Sequence, residues 1–248
     1  MVEKGDPDRW RAAMTAPPDK RGGLMALYAF NLEIARAPWV ASEEMIAQIR
    51  LRWWMDAVEE AVSGAMVRRH EIAEPLAEAI RTADLPQILF DEMIAARLTD
   101  ASADPHADAA ALTRYIERTS AHLMELAARY LGAPEAALPA VRRYGYGAGV
   151  AALLRALPEL RARGRDPLPP GTDLAALAQS GLDAIGDARV DRAKVPSEVL
   201  PALLPGWLAA WRLQRVVAQP DVVMAGGLEV SEFRARMGLL RTALTGRW

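Results

Sequence analysis

The amino-acid sequence predicts an all-α fold, and three observations carry that expectation. Ala, Leu, Arg and Glu, all strong helix formers, dominate the chain. Apolar residues recur at three- and four-residue steps, which stacks them on one side of a 3.6-residue turn. Prolines fall mostly between these periodic segments rather than within them. Strand signals are weak: apolar and polar residues seldom alternate, and Asn-Gly and Asp-Gly hairpin dipeptides are absent.

Taken in order, the segment from about Lys20 to Ala37 places Leu24, Leu27, Tyr28 and Ile34 on one face. Ser42 followed by Glu43 and Glu44 reads as the next helix start, with acid in the first turn. Ile46, Ile49, Trp53 and Ala57 then form a stripe. Asp108 precedes an alanine-rich helix as a cap, and Leu112, Ile116, Leu123, Leu126 and Tyr130 continue from it. Thr172-Asp173 looks like another helix start. Leu200, Leu203, Leu204, Trp207, Leu208 and Trp211 form a broad stripe, and Phe233, Met237, Leu240 and Leu244 close the chain. The total is roughly eight to ten helices. Thr99–Asp108 is the most polar break and Gly164–Gly171 the richest in Pro and Gly. Helices on both sides of each break look equally core-facing, so neither marks a domain boundary.

Composition narrows the function classes. The chain has 248 residues, 52% hydrophobic and 25% charged, with a formal net charge of -2. That suits a sizeable core, and the charge balance supplies no global field for nucleic acid. There is no cysteine, which excludes disulfides, thiolate metal sites and cysteine nucleophiles. His70, His106 and His122 are too far apart for a local paired-histidine metal motif, and no partner for them is evident. G-x-S-x-G and Walker-type loops are missing. The opening MVEKGDPDRWRAAM is charged and does not read as a secretory signal. Val199–Trp211 carries no Asp, Glu, Lys or Arg, yet it holds Pro201 and Pro205 and falls short of a spanning helix. The expectation is a cytoplasmic chain, at most peripheral to the inner membrane.

Two segments carry a family resemblance. Arg21–Arg36, with Ala26-Leu27-Tyr28-Ala29-Phe30 at its centre, leads on to Ile49-Arg50-Leu51-Arg52-Trp53-Trp54. This resembles the first conserved block of squalene/phytoene synthases, where an ALYAF stretch enters a DxxxD motif and then an RLQWW-like helix. Gly149–Leu160, followed by Gly164–Pro169, resembles the family's TNILRDVxED…GRxYLP block. The resemblance is strongest over residues 8–219 and implies one isoprenoid-synthase-like helical domain, residues 1–248, around a central cavity. In active members two prenyl diphosphates condense head to head there. Paired carboxylates on facing helices hold magnesium, which neutralises the diphosphate leaving group.

The chain departs from the pattern at those carboxylates. Phe30 is followed by Asn31-Leu32-Glu33-Ile34-Ala35-Arg36-Ala37-Pro38, with no aspartate before Asp56. Arg36 stands near an expected acid, and Ala156 and Leu160 stand where the second pair would be. Only Glu33 and Glu159 keep an acid in the two blocks. Pro167 replaces the tyrosine of GRxYLP, while Gly164, Arg165, Leu168 and Pro169 match. This pattern resembles the family's non-catalytic branch, which includes the mitochondrial assembly factor of respiratory complex I and bacterial relatives. The resemblance implies an assembly or interaction role with a respiratory-complex subunit or assembly partner, peripheral membrane contact, and a lipid or prenyl ligand. No catalytic residue, metal site or cofactor is expected. The ligand candidates are Tyr28, Glu33, Arg36, Arg155, Glu159 and Arg165.

Alternatives accompany each of these. A divergent magnesium-dependent head-to-head prenyltransferase would use Glu33, Glu159 or the Asp183, Asp187 and Asp191 series, and would need acids from facing helices to converge on the cavity. A lipid carrier without a protein partner would need an apolar cavity with an arginine rim. Arg155 and Arg165 either bind phosphate or pair with Glu159 and Asp166. The Asp183 series reads first as a solvated face. Tyr28 and Tyr144 read as core or cavity wall. Trp207 and Trp211 either pack in the core or dock on a membrane or partner. The run Gly145-Tyr146-Gly147-Ala148-Gly149 predicts a close helix–helix approach or a cavity lining.

Overall fold

The expected helices form, and no strand occurs among the described residues of the computed structural model, which are 1–40, 44–102 and 104–248. In order they are α1 (Val2–Gly5), α2 (Pro7–Met14), α3 (Pro18–Val40), α4 (Glu44–Ser63), α5 (Ala73–Ala83) and α6 (Gln87–Leu98). Then come α7 (Ala109–Ile116), α8 (His122–Tyr130), α9 (Leu138–Ala162) and α10 (Leu174–Val190), followed by α11 (Leu200–Leu203), α12 (Ala209–Ala218) and α13 (Glu232–Thr245). The reading of Ser42-Glu43 as a helix start lies outside the described residues.

Local chemistry fixes several ends. The Asp6 carboxylate accepts from the Arg9 amide to open α2, and Asp108 and Asp173 do the same for α7 and α10. Pro201 and Pro205 break the predicted broad stripe into α11 and a 3-10 turn at Leu204–Gly206. Between α7 and α8 the chain makes a π turn, Glu117–Ala121. A π turn adds a residue to the helical repeat and shifts which side chains face inward.

Two long helices organise the core. α3 packs on α4, α5 and α8, and α9 packs on α8, α10, α12 and the π turn. The glycine run lets α9 lie close on two sides. A Cβ on Gly147 would fall 2.6 Å from the Gly181 carbonyl oxygen of α10. A Cβ on Gly145 would fall 2.8 Å from the Ala121 Cα, and one on Gly149 2.6 Å from Ile116 and Ser120. The Ser120 hydroxyl donates to the Gly145 carbonyl across this contact, 3.0 Å. Beside it, Glu125 is fully buried and bound by Arg129 and Arg142. Burial alone would raise its pKa, but the hydrogen bonds from the two arginines outweigh that and hold it below the usual range.

Three expectations change. The α4 stripe faces inward through Leu51, Trp54, Val58 and Ala61, while Ile46 and Ile49 are exposed. The histidines do have partners: His70 packs edge-on against Trp54 and tilted against Trp53, His106 packs tilted against Tyr115, and His122 lies 3.5 Å from Glu92. The stripe Phe233, Met237, Leu240 and Leu244 points away from the core, and all four are exposed. Periodicity identifies an apolar face without identifying what covers it.

Gly147→Ala is expected to lower stability by about 2 kcal/mol, because the new methyl meets backbone that cannot retreat. Gly186→Ala, on the open face of α10 where nothing lies within 4 Å of the added carbon, is expected to raise it by about 0.5–1 kcal/mol. Urea denaturation of the two variants checks both signs.

Candidate functional site

Between α3 and α9 lies a cavity of about 630 Å³, lined further by Arg9 of α2, by α6, α7 and the π turn, and by loop residues that include Ser102, Asp104, His106 and Arg165. α3 presents Asn31, Ala35 and Trp39 to it, one side chain per turn. α9 presents Gly149, Ala152, Leu153, Ala156 and Leu160. The walls are therefore mainly apolar, and the cavity-facing positions of both helices lack a carboxylate.

Polar groups gather at one end. Arg97 donates to the Asp100 carboxylate at 3.1 Å and to the Tyr115 hydroxyl at 2.7 Å, and Tyr115 donates to Asp100 at 2.9 Å. Burial would lower the Arg97 pKa, but Tyr115 and Asp100 more than reverse this, so the guanidinium stays charged. Burial pushes the Tyr115 phenol up, so it keeps its proton. Arg165 stacks over Trp39 at 4.5 Å and donates to the Asp100 carbonyl. The Asn31 side-chain oxygen is buried with no partner.

A second, smaller chamber of about 70 Å³ adjoins the first and shares Arg9, Ser120 and Ala152 with it. Tyr28, Arg155 and Arg212 line it. The Tyr28 hydroxyl is buried without a partner, and burial raises its pKa, so it stands as a free donor. Arg212 is 7% exposed, and its Nε donates to the Leu228 carbonyl at 3.2 Å. Burial first, and repulsion from Arg155 second, pull its pKa down. Arg155 pairs loosely with the exposed Glu229, at 3.9 Å. Arg9 is anchored by Asp6, which more than offsets the effect of burial and keeps it charged. Asp6 and Asp8 also line the chamber, but Asp6 is held by Arg9 and Asp8 by Arg11, which leaves the buried Arg212, the partly exposed Arg155 and the free phenol as a donor set for an anion.

The sequence candidates divide between these chambers and the outside. Tyr28 and Arg155 line the smaller chamber and Arg165 the larger. Glu33, Arg36 and Glu159 line neither. Glu33 is two residues from the cavity face of α3, which puts it about 200° round the helix. Arg36 is exposed and lies against Gly5 of α1, so it does not set the charge of the cavity. Glu159 is exposed and pairs with Arg163 at 2.7 Å. Asp166 pairs with Arg161, which leaves Arg165 to Trp39 and Asp100. Asp183 and Asp187 line a separate groove beside Tyr146 and Ser180, and Asp191 holds Arg143 and Lys194. Arg9, Asn31, Arg97, Asp100, Tyr115 and Arg212 escaped the sequence reading. Arg97 and Asp100 are three residues apart, but the others lie on separate elements with no local spacing to join them.

A magnesium cage of the kind the resemblance implies does not fit this donor set. Ala35, Trp39, Ala156 and Leu160 offer no oxygen ligands, and the three aspartates that line the cavity come from its loop end, where Asp100 is committed to Arg97 and Tyr115, Asp166 to Arg161 and Asp104 to the Ser102 hydroxyl. Among the described residues, no group of three or more His, Asp and Glu side chains is placed to hold a metal ion.

These helices around a two-chambered cavity are the architecture of an isoprenoid-synthase-like fold. The squalene/phytoene synthase family model matches residues 2–193, and the chain belongs to that family. It is similar to NADH dehydrogenase (ubiquinone) complex I, assembly factor 6, of Bos taurus, 26% identical over 170 residues, covering 68% of this chain and 51% of that one. The Homo sapiens protein of the same name is 25% identical over 170 residues, with the same coverage. The Drosophila melanogaster homolog is 27% identical over 178 residues, covering 68% and 52%. The chain thus spans about half the length of the curated relatives it matches. In fold it is similar to a dehydrosqualene synthase solved in complex with ligand, with a TM-score of 0.81 at 15% identity, covering 99% of this chain and 94% of that one. It is also similar to squalene synthase HpnC from Alicyclobacillus acidocaldarius, TM-score 0.72 at 16% identity, covering 88% and 90%.

Replacing Arg212 tests whether its charge is reserved for a ligand. Arg212→Met is expected to raise the stability of the ligand-free protein by about 1 kcal/mol, because it removes a buried cation without a close counter-ion. A loss of that size in thermal denaturation would show that the chain itself needs the charge.

Proposed function

We propose that this chain is a catalytically silent member of its family that serves as an assembly or interaction factor of the respiratory complex I type, working at the periphery of the inner membrane. Its cavity takes an amphiphile: an anionic head between Tyr28, Arg155 and Arg212, and an apolar chain along the alkyl and aromatic walls of the larger chamber. A prenyl diphosphate and an anionic lipid share this chemistry. The observation that carries the reading is the absence of carboxylates from the cavity-facing positions of α3 and α9. Without them, arginines can hold a diphosphate or phosphate, but α3 and α9 offer no carboxylates to place a magnesium ion that would draw it off as a leaving group. The names of the relatives support the assembly role, and the arginines support an anionic ligand.

Farnesyl diphosphate is expected to bind and stabilise the purified protein in EDTA as well as it does in magnesium. Arg155→Met is expected to weaken this binding by about tenfold, as loss of a charge-assisted contact would. Calorimetric titration in the two buffers checks both. Binding that requires magnesium would contradict the proposed site.

In the native host, loss of the chain is expected to lower the amount of assembled complex I in membranes while leaving the head-to-head prenyl products unchanged. Native gel electrophoresis and lipid extraction read the two effects. The opposite pattern would favour a divergent prenyltransferase.

A further inference from the structure

α13 is amphipathic, yet it presents its larger apolar side chains outward. Its inner face is small: Ala235 and Leu239 are buried, and Gly238 lies against the Trp207 ring, where a Cβ would have no room. The helix is anchored at both ends. Ser231 caps it and Arg11 holds Glu232 at 2.9 Å, while past its end Trp248 is buried against Tyr144 with ring centroids 4.8 Å apart. The outward stripe is therefore held in place by the rest of the molecule.

At about 100° per residue, Phe233, Met237, Leu240 and Leu244 fall in one narrow band opposite the buried face. Their exposures are 76%, 50%, 49% and 79%. Single exposed apolar residues are ordinary on a protein surface, but four in helical register are an unpartnered face. Arg236 flanks the band on one side, and Arg234 and Arg241 on the other. The only acid on the helix, Glu232, is engaged by Arg11 and Arg236. No helix among the described residues is long and apolar enough to cross a membrane. An apolar band flanked by Arg236 on one side and by Arg234 and Arg241 on the other matches the boundary of an anionic bilayer, where acyl chains receive the band and lipid phosphates receive the guanidinium groups.

We propose that α13 is an interfacial anchor that seats this protein on anionic lipid. This names the contact surface for the membrane-peripheral reading above and rests on that reading for the location alone. The anchor is independent of what fills the cavity.

Flotation of the full chain with vesicles of phosphatidylcholine, with and without phosphatidylglycerol, tests it. The protein is expected to float with the anionic vesicles and about tenfold less with the neutral ones, and added salt should weaken the association. The double variant Phe233→Ser/Leu240→Ser, and separately Arg236→Gln/Arg241→Gln, should each cut flotation about tenfold at an unchanged melting temperature. Should the serine pair fail to fold, Leu244→Ser alone supplies the apolar test. Farnesyl diphosphate binding should be unaltered in all of them, which separates failure of the anchor from failure of the cavity reading. Flotation that is absent, or insensitive to both sets of variants, would overturn the proposal. So would a concentration-dependent dimer that the serine pair dissolves, because a second copy of the chain would then be the occupant.

Discussion

How near α9 can come to its neighbours decides most of what surrounds it. Gly145 and Gly149 admit the π turn on one side and Gly147 admits α10 on the other, each at a distance a Cβ would forbid. With α9 clamped on these sides, its remaining face is left to look across at α3. That open face carries Ala152, Ala156 and Leu160, and the space between the two helices becomes the cavity. The π turn belongs to the same device. It sets Ser120 against the Gly145 carbonyl, and Ser120 and Ala152 together form part of the boundary between the two chambers.

Within that frame the electrostatics divide into two kinds. Arg97, Arg9 and the two arginines on the buried Glu125 are each matched by acids or a phenol of the chain itself. They hold helices and loops in position. Arg155 and Arg212 are not so matched, and the field of each works against the other in a shared chamber. A buried Arg212 beside a second cation destabilises the empty protein, and an incoming anion would relieve it. The same substitution can thus stabilise the fold and weaken the site, a trade common where a protein keeps strain for its ligand.

Much of the fold was legible because its signals are local. The caps Asp108 and Asp173, the tightly packed glycine run and the buried faces of α3, α7 and α8 all follow from residues a few positions apart. The replacement of acid by Ala156 and Leu160 was also legible, and both positions line the cavity. Glu33, Arg36 and Glu159 were harder to place because a residue or two along a helix turns a side chain by 100° or more. Arg9, Arg97 and Arg212 come from three separate elements that meet only in the folded chain, so no spacing announces them. The outward stripe of α13 looks in sequence like any core-facing stripe. Its neighbours distinguish the two, and periodicity does not report neighbours.

In the proposed reading, the cavity holds an anionic amphiphile without reacting it. Magnesium-dependent release of diphosphate from farnesyl and geranylgeranyl diphosphate, measured beside an active squalene synthase, tests that claim most directly. The account predicts no release above the protein-free rate while the control turns over. Robust release would contradict it and would require a metal site built from carboxylates on elements other than α3 and α9.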